Sequence, residues 1–197
     1  MSLLYYSEIK YYLSFLYKMI YEPLEDSFLL NKTLIKFFKN KDKKIKILDV
    51  GSGSGIQAET CLKLGFKNVI ASDINKETAK YLREKNIKFV HSDLFDKIKG
   101  RFDLIIFNPP YLPHDYREPE ESKMNTTGGK KGYEIIIKFL KQSSKKLNKN
   151  GSIILLFSSL SNPKLILERA RDFGYNFSLL DKNKFFFEEL YVYELFR

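Results

Sequence analysis

Asn108-Pro109-Pro110-Tyr111 closes the apolar run Phe102-Asp103-Leu104-Ile105-Ile106-Phe107, and an amide, two prolines and an aromatic in that order suit one kind of chemistry. A carboxamide or exocyclic base nitrogen has its lone pair delocalised and attacks poorly, so it must be held in line with an activated methyl group. The side-chain oxygen of Asn108 and a backbone carbonyl of the Asn108-Pro109 segment can each accept one N–H bond from such a planar NH2. Proline has a fixed φ and no N–H, so Pro109-Pro110 forms a stiff corner that presents carbonyls without offering a competing donor. Tyr111 can stack on the flat group. A strand ending in an ordinary proline turn accounts for the two prolines and leaves Asn108 and Tyr111 to chance.

Upstream, Lys46 to Val50 reads as a buried strand that runs into Gly51-Ser52-Gly53-Ser54-Gly55 and a helical pattern from Ile56 to Leu64. Strand, glycine turn, helix is a nucleotide-cofactor loop, in which Gly51, Gly53 and Gly55 let the backbone approach a ligand. The spacing Gly-x-Gly-x-Gly after an acid differs from the dinucleotide pattern, and Asp49 suits a positive amino group better than a pyrophosphate. The next strand ends at Asp73, where an acid can take both ribose hydroxyls, with Ile74 beside it. A third strand ends at Ser92-Asp93-Leu94, placing a carboxylate where an adenine amine would lie and Leu94 as an apolar cover. Acids at three successive strand ends would share the carboxyl edge of a parallel sheet, the edge where such folds bind ligands.

On these residues the chain resembles the class I S-adenosylmethionine-dependent methyltransferases, specifically the short archaeal and eukaryotic branch of the release-factor glutamine methyltransferases. Tyr21 to Leu30 resembles that branch's segment before the first helix, and its hydroxyl residue, here Ser27, is implied to lie by the cofactor. The glycine loop, Asp73, Asp93-Leu94 and the tetrad follow in the family order, and Gly128-Gly129-Lys130-Lys131-Gly132 resembles the branch's Gly-Gly-x-x-Gly loop. Asp49 stands where relatives often carry Glu, Ser27 where Thr is common, and 114–127 follows no assignable pattern. The resemblance implies methyl transfer from S-adenosyl-L-methionine to the glutamine amide of the Gly-Gly-Gln segment in the class I translation termination (release) factor. It also implies a small zinc-binding activator subunit forming a heterodimer and covering an apolar face; Phe185-Phe186-Phe187 is a candidate for that face, with core packing as the alternative. The alternative is an adenine-N6 or cytosine-N4 methyltransferase, whose flipped base would offer the same amino group. A non-catalytic module on the same fold would show a damaged tetrad or glycine loop, and both are intact.

The elements that must position these residues alternate strand and helix. Helices are expected over 26–38, 56–64, 76–85, 132–147 and from Asn162-Pro163 to Gly174, and strands begin near Ile45, Asn68, Ile87 and Phe102. Between the third and fourth strands the connection is too short for a regular helix. Gly151 is expected to stop the chain before a buried strand over 152–157, and two strands near 175–180 and 190–196 close the fold. The expected class is α/β, a Rossmann-like doubly wound seven-stranded sheet with an antiparallel last strand. With 197 residues the chain reads as a single methyltransferase domain over 1–197, residues 1–20 forming an N-terminal helical extension.

Thirty-four Lys and Arg against 24 Asp and Glu leave a net charge of +10, which suits an RNA, ribosomal or acidic-protein partner and keeps nucleic acid as a secondary partner class. Runs such as 39–44 and 145–150 otherwise read as solvated loops. Cys61 is the only cysteine, which excludes an internal disulfide, reads as a core residue, and fits a cytoplasmic protein. Two histidines are too few for a metal cluster, so no metal is expected, and His91 reads as structural. No apolar run reaches the roughly eighteen residues a membrane span needs, so no membrane partner is expected.

Overall fold

The computed structural model describes residues 23–197, so the helix expected within 1–20 lies outside the described residues. Helix α1 (Glu25–Phe37) leads into β1 (Lys46–Val50), α2 (Ile56–Lys63), β2 (Asn68–Asp73), α3 (Thr78–Glu84) and β3 (Lys88–His91). After an irregular crossing come β4 (Phe102–Phe107), a short α4 (Glu120–Thr126), α5 (Glu134–Ser143) and β5 (Leu147–Ser158). A single 3-10 turn, Ser159–Ser161, precedes α6 (Pro163–Asp172), β6 (Asn176–Lys184) and β7 (Glu189–Phe196). The seven strands form one sheet in the order β3-β2-β1-β4-β5-β7-β6. Neighbours from β3 to β5 pair in parallel, and β7 alone runs antiparallel, between β5 and β6. The doubly wound class expected from the sequence is the class observed.

Both faces of the sheet are covered, which is why its strands read as continuous apolar runs rather than alternating ones. In β4, Ile105 and Phe107 point to one face with Ile136, Phe139 and Leu140 of α5, and Phe107 stacks on Phe139 at 4.3 Å between ring centroids. Leu104 and Ile106 point to the other, with Leu30 and Leu34 of α1, Ala58 and Cys61 of α2, and Leu82 of α3. Cys61 is fully buried there, and burial raises its thiol pKa far beyond its usual range, so it is a small core residue as the sequence suggests.

Local signals set several ends. Asn162 caps α6 by accepting a bond from the Leu165 N–H at 3.3 Å, with Pro163 in the first turn. Two boundaries differ from expectation. The helix expected to reach 147 stops at Ser143, and Gly151 sits inside β5 rather than ahead of it, because the β4–β5 register jumps between Phe102↔Leu147 and Leu104↔Ser152. Residues 148–151 stand opposite Asp103 alone and form a bulge, held where Asn148 Nδ2 donates to Asp103 Oδ1 at 2.6 Å. The segment 114–127 contains α4, whose short turn is closed by Glu118 accepting from Ser122 Oγ at 2.9 Å and Thr127 Oγ1 at 2.8 Å. Among the described residues no helix is long and apolar enough to cross a membrane.

Candidate active site

A cleft of about 390 Å3 opens at the carboxyl edge of the sheet, beside β1, where the strand order reverses and β4 is laid down on the side of β1 away from β2. The turn after β1 supplies Gly51 and Gly53, the ends of β2 and β3 supply Asp73, Ile74, Asp93 and Leu94, and the end of β4 supplies Asn108, Pro109 and Pro110. Gly51 has φ +60°, and a Cβ there would lie 3.3 Å from the Phe107 ring, so the turn needs glycine to pass over that ring. Asp73 is tied down by two backbone donors, the N–H of Gly53 to Oδ2 and of Asn75 to Oδ1, each at 2.8 Å. Burial raises its pKa, with those bonds and the one from Ile74 opposing. Asp93 pairs with Lys138 of α5 at 2.7 Å across the rim, and the His91 Nε2 lies 2.9 Å from the Ile74 carbonyl, bracing the loop after β2.

The side chain of Asn108 is held from behind by α1. Its Nδ2 donates to Asp26 Oδ2 at 2.9 Å and lies 3.5 Å from Ser27 Oγ. A carboxylate only accepts, so the atom facing Asp26 must be the nitrogen and Oδ1 must face the other way. That oxygen is buried and meets no donor among the described residues. Asp26 in turn is only 5% exposed, at the start of α1, and its other oxygen accepts the Ser27 backbone N–H at 2.6 Å. An orphaned buried acceptor costs stability unless something donates to it, and an ordered water or a ligand N–H can do so.

Tyr111 lines a second hollow of about 210 Å3, together with Asp26, Glu188, Asn125 and Phe185; the two cavities share Asp26 and Asn125. Burial first, and then the charges of Asp26, Glu188 and Glu25, push the Tyr111 hydroxyl far above its ordinary pKa, so the phenol stays neutral and acts through its ring and O–H. The Gly128–Gly132 loop props the tetrad from outside. The Gly128 N–H donates to the Leu112 carbonyl at 2.9 Å, and a Cβ on Gly128 would lie 2.6 Å from the Pro110 oxygen. Gly132, at φ +84°, would place a Cβ 2.4 Å from the Tyr111 oxygen. Only glycines allow two stretches of backbone this close.

A family profile described as Methyltransferase small domain matches residues 30–187. The chain belongs to this methyltransferase family. It is 39% identical over 191 residues to a putative protein N5-glutamine methyltransferase of Methanocaldococcus jannaschii, covering 92% of this chain and 94% of that protein. A release factor glutamine methyltransferase of Borreliella burgdorferi is 38% identical over 141 residues, and the match spans 64% of this chain but about half, 49%, of that longer protein. Among solved structures, the E. cuniculi Mtq2-Trm112 complex, described as responsible for methylation of the eRF1 translation termination factor, superposes with a TM-score of 0.72 at 27% identity, over 91% of this chain and 99% of that one.

Most of the residues singled out in the methyltransferase's sequence converge on the cleft: Gly51, Gly53, Asp73, Ile74, Asp93, Leu94, Asn108, Pro109 and Pro110 all line it, and Tyr111 lines the adjoining hollow. Three do not. Asp49 is 2% exposed behind the glycine turn, where Oδ2 accepts the Ala58 N–H at 3.1 Å in the first turn of α2, so it anchors that helix instead of facing the cleft. Burial lifts its pKa to about 7, offset in part by the Ala58 bond and increased by the charge of Asp73. Gly55 is turned inward against Leu82, and Ser27 stands behind Asn108 rather than on the cleft wall. Conversely Asp26 lines both cavities, and Lys123, Met124 and Asn125 of α4 form a wall that no pattern in 114–127 announced. The available signal for Asp26 was its place beside Ser27.

Proposed function

We propose that this methyltransferase transfers a methyl group from S-adenosyl-L-methionine to the side-chain amide nitrogen of a glutamine in a protein, namely the Gly-Gly-Gln glutamine of the class I translation termination factor. The observation that carries the reading is the buried Asn108 Oδ1, an acceptor oriented by Asp26 and without a donor among the described residues. A primary amide brings two N–H donors; Asn108 Oδ1 takes one and a carbonyl of the proline corner takes the other, which aims the nitrogen lone pair. Tyr111 packs on the amide plane, and the proton released from the nitrogen passes to water, so no strong base is required. The names of the relatives from Methanocaldococcus and Borreliella, and of the eRF1-methylating complex, support glutamine as the acceptor.

The cleft also suits the methyl donor. Its acids Asp26, Asp73 and Asp93 complement a ligand carrying a sulfonium and an ammonium, and Ile74, Leu94 and Phe107 offer apolar walls to a flat base. S-adenosylmethionine supplies an electrophilic methyl group when bound. Asp73, braced by Gly53 and Asn75, is placed to take ribose hydroxyls, with Asp93 and Leu94 at the base. A small zinc-binding activator, as implied by the family, would complete a cytoplasmic heterodimer; Phe186 and Phe187, at 91% and 83% exposure on the β6–β7 hairpin, are the apolar surface it would cover.

The test is incubation of the chain, with and without the activator, with labelled S-adenosylmethionine and separately with the termination factor, the same factor with its Gly-Gly-Gln glutamine changed to Ala, DNA and RNA. Label entering only the intact factor, and lost with Asn108→Ala, is the expected result. Label in nucleic acid and none in the factor would overturn it in favour of a base methyltransferase.

A further inference from the structure

We propose that the amino-terminal edge of the sheet, opposite the cleft, is a docking surface for the phosphate backbone of RNA. The strand order places the beginnings of β3, β2, β1 and β4 side by side, so Lys88, Asn68, Lys46 and Arg101 come from four successive strand starts, and Lys99 arrives from the β3–β4 crossing. Together they line a hollow of about 230 Å3 whose floor is Val69, Ile70 and Phe102.

Three observations point to a polyanion. All four cations are exposed, and none of them appears in an ion pair within 4 Å among the described residues. Asp103, a carboxylate at this edge, is already committed: Oδ2 accepts the Lys46 backbone N–H at 2.8 Å and Oδ1 accepts Asn148 Nδ2 at 2.6 Å. At the other edge three acids, Asp26, Asp73 and Asp93, line the cleft. A polyanion is therefore drawn to the edge away from the reaction, as a tether and not as a substrate. RNA over another polyanion rests on the function proposed above, since a termination factor is met on RNA-rich particles.

The experiment measures binding of a fluorescein-labelled, mixed-sequence 20-nucleotide RNA by anisotropy between 50 and 200 mM NaCl, using the whole chain. With four phosphates neutralised, the slope of log K against log salt should be about −3, and about −1 in Lys88→Glu/Lys99→Glu/Arg101→Glu, with at least a tenfold loss of affinity at 50 mM. Lys76→Glu/Lys130→Glu/Lys164→Glu makes the same charge change at the opposite edge, on exposed side chains, and should leave the slope within about one of wild type. A Gln triple at the first three positions with an unchanged melting temperature guards against misfolding. Methyl transfer to the termination factor should be unchanged in the edge variant, so failure of the docking surface and failure of the proposed function read out separately. Equal loss in both charge-reversed variants, no loss in either, or equal binding to poly-L-glutamate or tighter binding to the matching DNA would overturn the proposal.

Discussion

Asp26→Asn isolates the feature on which the proposed chemistry depends. Among the described residues Asp26 accepts the Ser27 N–H with Oδ1 at 2.6 Å and Asn108 Nδ2 with Oδ2 at 2.9 Å. The carboxamide of the variant has the same shape but one acceptor and one NH2. If its oxygen stays on Ser27, its NH2 faces Asn108, whose amide must turn over to present Oδ1 to it. The acceptor then points away from the substrate and a donor takes its place. By analogy with removal of a single preorganised polar group, kcat for methyl transfer should fall about 10²–10³-fold, or ~3–4 kcal/mol. If its oxygen stays on Asn108, its NH2 meets the Ser27 N–H donor to donor, and the fold should lose about 1–3 kcal/mol instead. Single-turnover transfer from labelled S-adenosylmethionine to the saturating termination factor, beside thermal melts and calorimetric binding of the donor, distinguishes the branches. A variant with kcat within about threefold of wild type and an unchanged melting temperature would refute the argument that Asp26 orients Asn108.

Two further outcomes follow from the geometry. Asp49 has an ordinary pKa of 3.8 and a folded value of about 7, so the stability linked to its protonation is full below about pH 4 and is lost as pH rises to about 7. The gap is worth up to ~4 kcal/mol for so buried a group. Asp49→Asn keeps an acceptor for the Ala58 N–H and removes the titration, so its melting temperature should vary less than wild type between pH 5 and 8 and be at least as high at pH 8; a lower value at pH 8 would show that the ionised carboxylate stabilises the fold. Gly132→Ala should cost about 2 kcal/mol or more and lower transfer, because its Cβ would meet the backbone of Tyr111 and Pro113 at 2.4 and 2.9 Å, where nothing can give way. Gly65→Ala is the matched control: its φ is +92° but no atom lies within 4 Å, so only the backbone strain of about 1 kcal/mol remains, and equal melts for the two variants would sink the packing argument.

Much of the site was legible because its signals are local. Glycine at 51 and 53, proline at 109 and 110, and an acid at the close of β2 and β3 are choices each segment makes from its own backbone. Alternation of strand and helix then forces the strands parallel, which brings those segments to one edge without further information. Residues 114–127 were opaque for the opposite reason: α4 has little intrinsic helical pattern and is closed by the Glu118 carboxylate reaching Ser122 and Thr127.

The amino-acid sequence by itself determined the doubly wound class, the two faces of β4, the glycine turn and the tetrad, since period, turn chemistry and residue type act over a few neighbours. Only the tertiary structure decided which polar atoms meet. Asp26 and Asn108 stand 82 positions apart, and no local pattern tells that the first turns the amide of the second. Asp49 had the right place for a ligand contact, yet its side chain faces the first turn of α2, and desolvation there makes it a buried anchor. Lys46, Lys88 and Arg101 look like unrelated solvated charges along the chain, and become one surface because the sheet sets four strand starts side by side.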